Sequence, residues 1–261
     1  MNIGIIGAGL FGKTLARKLK KAGHEIRISN SRGPQTLRDF SKETGAIAVT
    51  TEDTVKEVDL VILITPYGRI STLYEFFKDV PNGTIVMDAM NYYPQMDGRI
   101  EAIERGITHS EWVQTIIGRP VIKAVNSLEV LTLITRGKAE GASGRIALPV
   151  SGDNQQHKET VIKLVNDLGF DSYDAGTIKG SWRQQPGAPA SCTNLGLEKS
   201  KAALKRAVKE EVSLARDIVM KKMDALDSEY MKVFMSGNYP DDFQSKLVVF
   251  YREYYNIPQD D

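Results

Sequence analysis

Cysteine is nearly absent. Cys192 stands alone in a chain of 261 residues, which excludes an intrachain disulfide and suits a reducing compartment. Histidine is scarce as well: His24, His109 and His157 are the three copies, too far apart in sequence to suggest a metal-ligand cluster. No run of about 18 apolar residues occurs, so no segment reads as a membrane span. Neither sign of charge is in excess, and a net charge of +1 gives no electrostatic reason to expect nucleic acid or an anionic membrane as partner. Strand-like sequence begins at residue 2, leaving no room for a signal or transit peptide. Together these absences predict a cytoplasmic protein with a small-molecule partner.

What is present is concentrated at the start. An apolar run, Ile3, Ile5 and Ile6, ends in Gly7-x-Gly9-x-x-Gly12, and helical periodicity follows at once. Strand, glycine turn and helix in that order form the context in which such glycines cradle a dinucleotide. Gly7 permits a tight bend, Gly9 lets a pyrophosphate approach the backbone, and Gly12 lets the helix pack closely. The first helical amides, at Leu10, Phe11 and Gly12, then face the phosphates with the helix dipole behind them. Leu15, Ala16 and Leu19 give this helix an apolar face. His24 falls at the following corner, where a surface position is expected.

The second strand ends at Asn30-Ser31-Arg32. A protein preferring NAD usually places a carboxylate there for the ribose 2′-hydroxyl. Here a guanidinium offers a planar fork of donors to a 2′-phosphate, with Ser31 and Asn30 able to add neutral hydrogen bonds. The pattern favours NADP(H) over NAD.

Apolar strands continue to alternate with helical segments: Ala46–Val49, Asp59–Ile64, Thr84–Met87, Pro120–Val125, Ile146–Val150 and Gly169–Tyr173. Asp59–Ile64 is almost unbroken in its hydrophobicity, as parallel strands covered on both faces are. The expectation is an α/β fold, a doubly wound parallel sheet of the Rossmann type with about eight strands. Residues 1–190 would form this NADP-binding domain. Residues 191–261 would form a helical extension, beginning with one long helix from about Leu197 to Leu226. At 1.5 Å per residue that helix would run roughly 45 Å, enough to outreach its own sheet and pack on a second subunit, which suggests a homodimer. The tail gathers Tyr230, Phe234, Tyr239, Phe243, Phe250, Tyr251, Tyr254 and Tyr255, an aromatic surface that has to be buried.

In an open parallel sheet, ligands lie beyond the carboxyl ends of the strands. Delivered there are Thr65-Pro66, Asp88–Asn91 and Ala124-Val125-Asn126, with the loop Gln184-Gln185-Pro186-Gly187 able to fold over the same edge. Pro66 stiffens the turn beside a nicotinamide. Asn91 and Asn126 are either hydrogen-bonding groups for a carboxamide or a substrate carbonyl, or plain turn-formers. Lys123 is the one lysine or histidine near a strand tip, and no Ser-His-Asp order or pair of carboxylates stands out, so no catalytic acid or base is assigned and no metal is expected. Hydride exchange between two redox cofactors fits that lack, because the reactive atoms belong to the cofactors.

At this point the chain resembles the deazaflavin (coenzyme F(420))-dependent NADP oxidoreductase family. The resemblance rests on Ile3-Gly-Ile-Ile-Gly-Ala-Gly9 with Gly12, Gly23-His-Glu-Ile26, Asn30-Ser-Arg32, Asp88-Ala-Met-Asn91, Val121-Ile-Lys-Ala-Val-Asn126, and Gly152-Asp153 with Leu168-Gly-Phe170. It implies NADP(H) on Gly7, Gly9–Gly12, Asn30–Arg32, Thr65 and Ala124. It also implies a nicotinamide and acceptor pocket of Thr65, Pro66, Asn91, Asn126, Gln185 and Pro186, with hydride passed to a deazaflavin or flavin. Tyr92-Tyr93 is bulkier than the family pattern beside the acceptor. Two alternatives stay open: a reductase of a small carbonyl or imine, which would bring a helical second domain and a catalytic lysine or hydroxyl, and a non-catalytic NADP-sensing protein.

Overall fold

The computed structural model describes residues 1–259. Six parallel strands make the central sheet: β1 (Asn2–Ile6), β2 (Glu25–Ser29), β3 (Ile47–Ala48), β4 (Leu60–Leu63), β5 (Ile85–Asp88) and β6 (Ile122–Lys123), in the order β3-β2-β1-β4-β5-β6. The order reverses beside β1, so the carboxyl ends of β1 and β4 diverge around a crevice. Register follows hydrophobicity, with Ile3, Ile5 and Ile6 of β1 opposite Leu60, Ile62 and Leu63 of β4.

Because side chains alternate along a strand, β4 feeds two cores. Leu60 and Ile62 join Leu15 and Leu19 of α1 (Leu10–Lys21) on one face. Val61 and Leu63 join Tyr67, Val113 and Ile117 on the other, where α3 (His109–Ile117) packs. Between them α2 (Arg38–Thr44) is capped by Gly45 in the left-handed region. After β4 the chain takes a 3-10 turn, Tyr67–Leu73, before the short helix Tyr74–Phe77.

The expected single sheet of about eight strands is not found: the main sheet has six. Past β6 and α4 (Val130–Thr135), β7 (Ala147–Val150) and β8 (Asp171–Asp174) flank α5 (Gln155–Asp167) and form a separate two-stranded parallel sheet. A single antiparallel bridge, Lys123 to Ser151, joins it to the main sheet. β6 is only two residues long, and two residues beyond it Val125, with φ of +65°, turns the backbone out of the extended region. A β-branched residue held there is strained. His24 also departs from expectation. It is buried, with Nε2 at 3.1 Å from Asp167 Oδ2, and ties the start of β2 to the end of α5.

The long C-terminal helix is two helices. α6 (Leu197–Arg206) ends where Ala207 (ψ 135°) and Val208 (ψ 119°) adopt extended backbone, and α7 (Lys209–Asp224) starts in a new direction. The apolar spacing is helical throughout, but the two halves bury against different partners. Ala203 packs with Leu195 and Ile257, whereas Val219 and Met223 pack with Cys192, Leu247 and Tyr251. Two more helices follow, α8 (Ser228–Ser236) and α9 (Lys246–Tyr254). The aromatic tail is packed largely on this chain itself: Tyr230 stacks on Phe234 and Phe243, Tyr239 stacks on Phe243, and Tyr251 is fully buried. Gly237, at the end of α8, lies against Leu10 at the start of α1, since a Cβ there would meet Leu10 Cδ1 at 2.5 Å. Among the described residues no helix is long and apolar enough to cross a membrane.

Candidate dinucleotide site

The glycine turn has the geometry its sequence demands. Gly7 has φ +120°, and a Cβ there would meet Ile64 O at 1.7 Å. A Cβ on Gly12 would meet Gly7 O at 1.9 Å, so the helix sits directly on the turn. Gly9 differs: a Cβ there would meet nothing within 4 Å. Its bareness serves no packing purpose inside the protein and leaves the backbone open from outside. Gly9 is also the N-cap of α1, with no side-chain cap and no acidic residue in the first turn. Lys13 N bonds to Gly9 O at 2.9 Å, while the amides of Leu10, Phe11 and Gly12 face outward at the positive end of the helix dipole.

A cavity of 420 Å³ opens directly on this turn, bringing Gly7, Gly9, Asn30, Ser31, Arg32, Thr65 and Pro66 to one place. Asn30 shapes its rim. The Arg32 amide donates to Asn30 Oδ1 at 2.9 Å, and Asn30 Nδ2 donates to Thr36 Oγ1 at 2.9 Å. That Asx turn spends the polar groups of Asn30 on presenting Ser31 and Arg32. The guanidinium of Arg32 is exposed and has no carboxylate partner among the described residues. Arg69, from the 3-10 turn after β4, lines the same cavity, and among the described residues no Asp or Glu does. Sequence reading missed Arg69; its only signal was a basic residue three positions past Pro66. Thr72 and Phe76 extend the same wall. The residues present therefore suit a dinucleotide phosphate chain and an additional phosphate.

The strand tips beyond β5 and β6 are bound to each other. Asn91 Nδ2 donates to Asn126 O at 2.7 Å, and Asn126 Nδ2 donates to Asn91 Oδ1 at 3.0 Å and to Gln184 O at 2.7 Å. Gln184 Nε2 returns a bond to Asn126 Oδ1 at 3.0 Å, and its Oε1 accepts from Ser151 at 2.7 Å. Asn126 is 1% exposed; both of its side-chain polar atoms are used within the protein. Ala124 is likewise fully buried. Beneath this bridge, Lys123 and Asp88 form a completely buried ion pair at 3.2 Å. Asp88 also accepts from Ser110 Oγ at 2.6 Å and Met90 N at 2.9 Å, and Lys123 donates to Met90 O. Burial lowers the Lys123 pKa and Asp88 opposes the shift. Asp97, which sequence reading also passed over, accepts from Tyr67 N at 2.9 Å and Tyr93 N at 3.0 Å, clasping the Thr65–Pro66 turn to the loop after Asn91.

Candidates for proton chemistry are engaged or neutral. His109 opens α3 and is 4% exposed; burial, then Lys123 and Arg216, holds its pKa well below the ordinary value. Burial also pushes the Cys192 thiol up to about 12, so it supplies no thiolate at neutral pH. Gln185 points away from Asn126 toward a different cavity, with Pro186 following it.

The description NADP oxidoreductase, coenzyme F(420)-dependent, is that of the family whose profile matches residues 2–92. Through these residues the chain belongs to the coenzyme F(420)-dependent NADP oxidoreductase family. A hypothetical protein of Sinorhizobium meliloti is 32% identical, with a TM-score of 0.63 over 75% of this chain and 95% of that one. A candidate F(420)-dependent NADP reductase from an Arthrobacter species, 24% identical, shares the fold with a TM-score of 0.56 over 69% of this chain and 87% of that one. Protein YjhV of Escherichia coli is 39% identical over 79 residues, which is 30% of this chain and 50% of that protein. The chain spans half the length, or less, of the curated relatives it matches.

Proposed function

We propose that this chain is an NADPH-dependent oxidoreductase passing hydride to a flavin-like acceptor, deazaflavin or flavin. The observation that carries the reading is the 420 Å³ cavity, in which an uncapped helix N-terminus and two arginines, Arg32 and Arg69, meet with no carboxylate among the described residues that line it. In this reading the amides of Leu10, Phe11 and Gly12 hold the pyrophosphate, Ser31 and Arg32 take the 2′-phosphate, and Thr65 and Pro66 line the way to the nicotinamide. The bound cofactor supplies a hydride when it is NADPH. The bridged Asn91, Asn126 and Gln184 act as a rigid floor rather than as free hydrogen-bonding groups, and alignment on such a floor is the protein's contribution to rate. The absence of a free acid or base among the described strand-tip residues supports an acceptor that needs none.

The helices after residue 196 support a second reading, reduction of a small carbonyl or imine, because they build the helical second layer that class requires. A panel following NADPH oxidation with deazaflavin, FMN, ferric chelates and simple carbonyls separates the two. Turnover with deazaflavin or FMN is expected. Turnover with a carbonyl alone overturns the flavin reading, and NADPH binding without turnover on any acceptor leaves a sensing protein. The exposed pair Leu214 and Ile218, one turn apart on α7, supports pairing of two copies, and a cytoplasmic location accords with the lone reduced cysteine.

A further inference from the structure

A second cavity, of 260 Å³, lies between the start of α3, the 3-10 helix Ile178–Gln184 and α7. Its walls carry His109, Gln185, Lys209, Ser213 and Arg216, with Glu104 at one side. We propose that this cavity binds a small organic carboxylate, gripped by Arg216 and Gln185 with Lys209 at the mouth. The inference stands apart from the dinucleotide reading, since the two cavities share no lining residue.

Three wall residues are more than nine-tenths buried: Arg216 is 5%, Gln185 6% and His109 4% exposed. Gln185 Nε2 and His109 Nδ1 are buried atoms with no hydrogen-bond partner. A buried polar group left unpaired costs about 1–3 kcal/mol, so such groups in a folded protein call for an explanation, and a ligand is one. Adjacent glutamines make the contrast plain. Gln184 makes four hydrogen bonds with its side chain, to Lys123, Asn126, Pro149 and Ser151, whereas Gln185 lines the cavity with its amide nitrogen unused among the described residues.

The unused groups are mostly donors. Arg216 spends Nε on Asp217 Oδ1 at 2.9 Å, and its two terminal nitrogens make no hydrogen bond among the described residues. That leaves the planar fork that matches a carboxylate. The Tyr92 ring lies 5.9 Å from the guanidinium and helps hold it in place. Lys209 Nζ donates to Gly106 O at 3.0 Å and keeps donors to spare. The one acid on the wall, Glu104, accepts from Tyr92 OH at 3.3 Å and lies 3.5 Å from Arg99. His109 adds no charge, being held neutral by burial and by Lys123 and Arg216. On the wall two cations thus face one already engaged carboxylate, and Asp217, off the wall, holds only the Nε side of Arg216. The volume falls below the roughly 300–1,000 Å³ of drug-sized sites, which limits the ligand to a few carbon atoms beside its carboxylate.

Calorimetric titration of the full chain with acetate, pyruvate and benzoate, at fixed ionic strength, tests the proposal; acetamide, benzamide and inorganic phosphate serve as comparisons. At least one carboxylate should bind saturably at one site per chain, and its amide should bind at least about tenfold more weakly. Ser213→Trp, at an exposed position on the cavity wall, should abolish that binding without lowering Tm. Arg216→Lys should weaken it about tenfold and Lys209→Met by a smaller factor. Arg32→Ala, in the other cavity, should leave it unchanged. Should no carboxylate bind, should phosphate alone bind, should the amides bind equally, or should Ser213→Trp bind as the parent does, the proposal is wrong.

Discussion

Replacing Arg32 by alanine tests the proposed contact between its guanidinium and a 2′-phosphate. Its guanidinium sits at the end of β2, exposed and free of any carboxylate among the described residues, on the rim of the cavity that holds Gly7 and Gly9. A hydrogen bond to a charged group contributes about 1.5–3 kcal/mol. Exposure to solvent and salt favours the lower end, because the Debye length at physiological ionic strength is about 8 Å. Since about 1.4 kcal/mol is a tenfold change in Kd, Arg32→Ala should weaken NADPH by roughly tenfold and leave NADH nearly unchanged. Fluorescence titration of both dinucleotides against both proteins reads the effect, and the NADPH-to-NADH ratio of the parent should shrink as salt rises. An equal loss for both dinucleotides, or a ratio indifferent to salt, would refute the placement of a phosphate at Arg32.

Two glycine substitutions separate folding from binding: Gly9→Ala should leave stability within about 0.5 kcal/mol yet weaken both dinucleotides, whereas Gly7→Ala, with its overlap on Ile64 O, should lower the denaturation midpoint sharply. Loss of stability in Gly9→Ala would count against an open face there. Lys123→Met leaves Asp88 buried without its cation, a change expected to cost about 3–5 kcal/mol in urea unfolding; a loss below about 1 kcal/mol would show that the pair is not closed to water. His109 has its folded pKa depressed below 6.5 by burial. Its contribution to stability is therefore complete above pH 6.5 and is lost as pH falls, at up to about 1.4 kcal/mol per pH unit. Thermal unfolding between pH 7 and 5 should show this slope in the parent and a shallower one in His109→Phe.

Local chemistry made the first third of the chain readable. The bend at Gly7, the seat of Gly12 and the helix beginning at Leu10 are all dictated by residues next to one another. So is the rim at Asn30–Arg32, although Asn30 turned out to build the turn rather than wait for a ligand. Readability failed where distant partners decide. Nothing near Leu197–Leu226 announces a break, because Ala207 and Val208 are compatible with a helix; the break follows from Cys192, Leu247 and Tyr251 claiming α7 while Leu195 and Ile257 claim α6. The strand segments were legible and their division between two sheets was not, since pairing is decided between segments far apart in sequence. Asn91 and Asn126 lie 35 positions apart, and only the folded chain shows that each consumes the other. Arg69 reached the cavity through a 3-10 turn whose direction no periodicity encodes.

The abutment of Gly237 on Leu10 joins the C-terminal helices to the lip of the glycine turn. Cutting the chain after the second sheet would therefore do more than shorten it: the leucine that opens α1 would lose its backing. The last quarter of the molecule thus belongs to the architecture of its opening twelve residues.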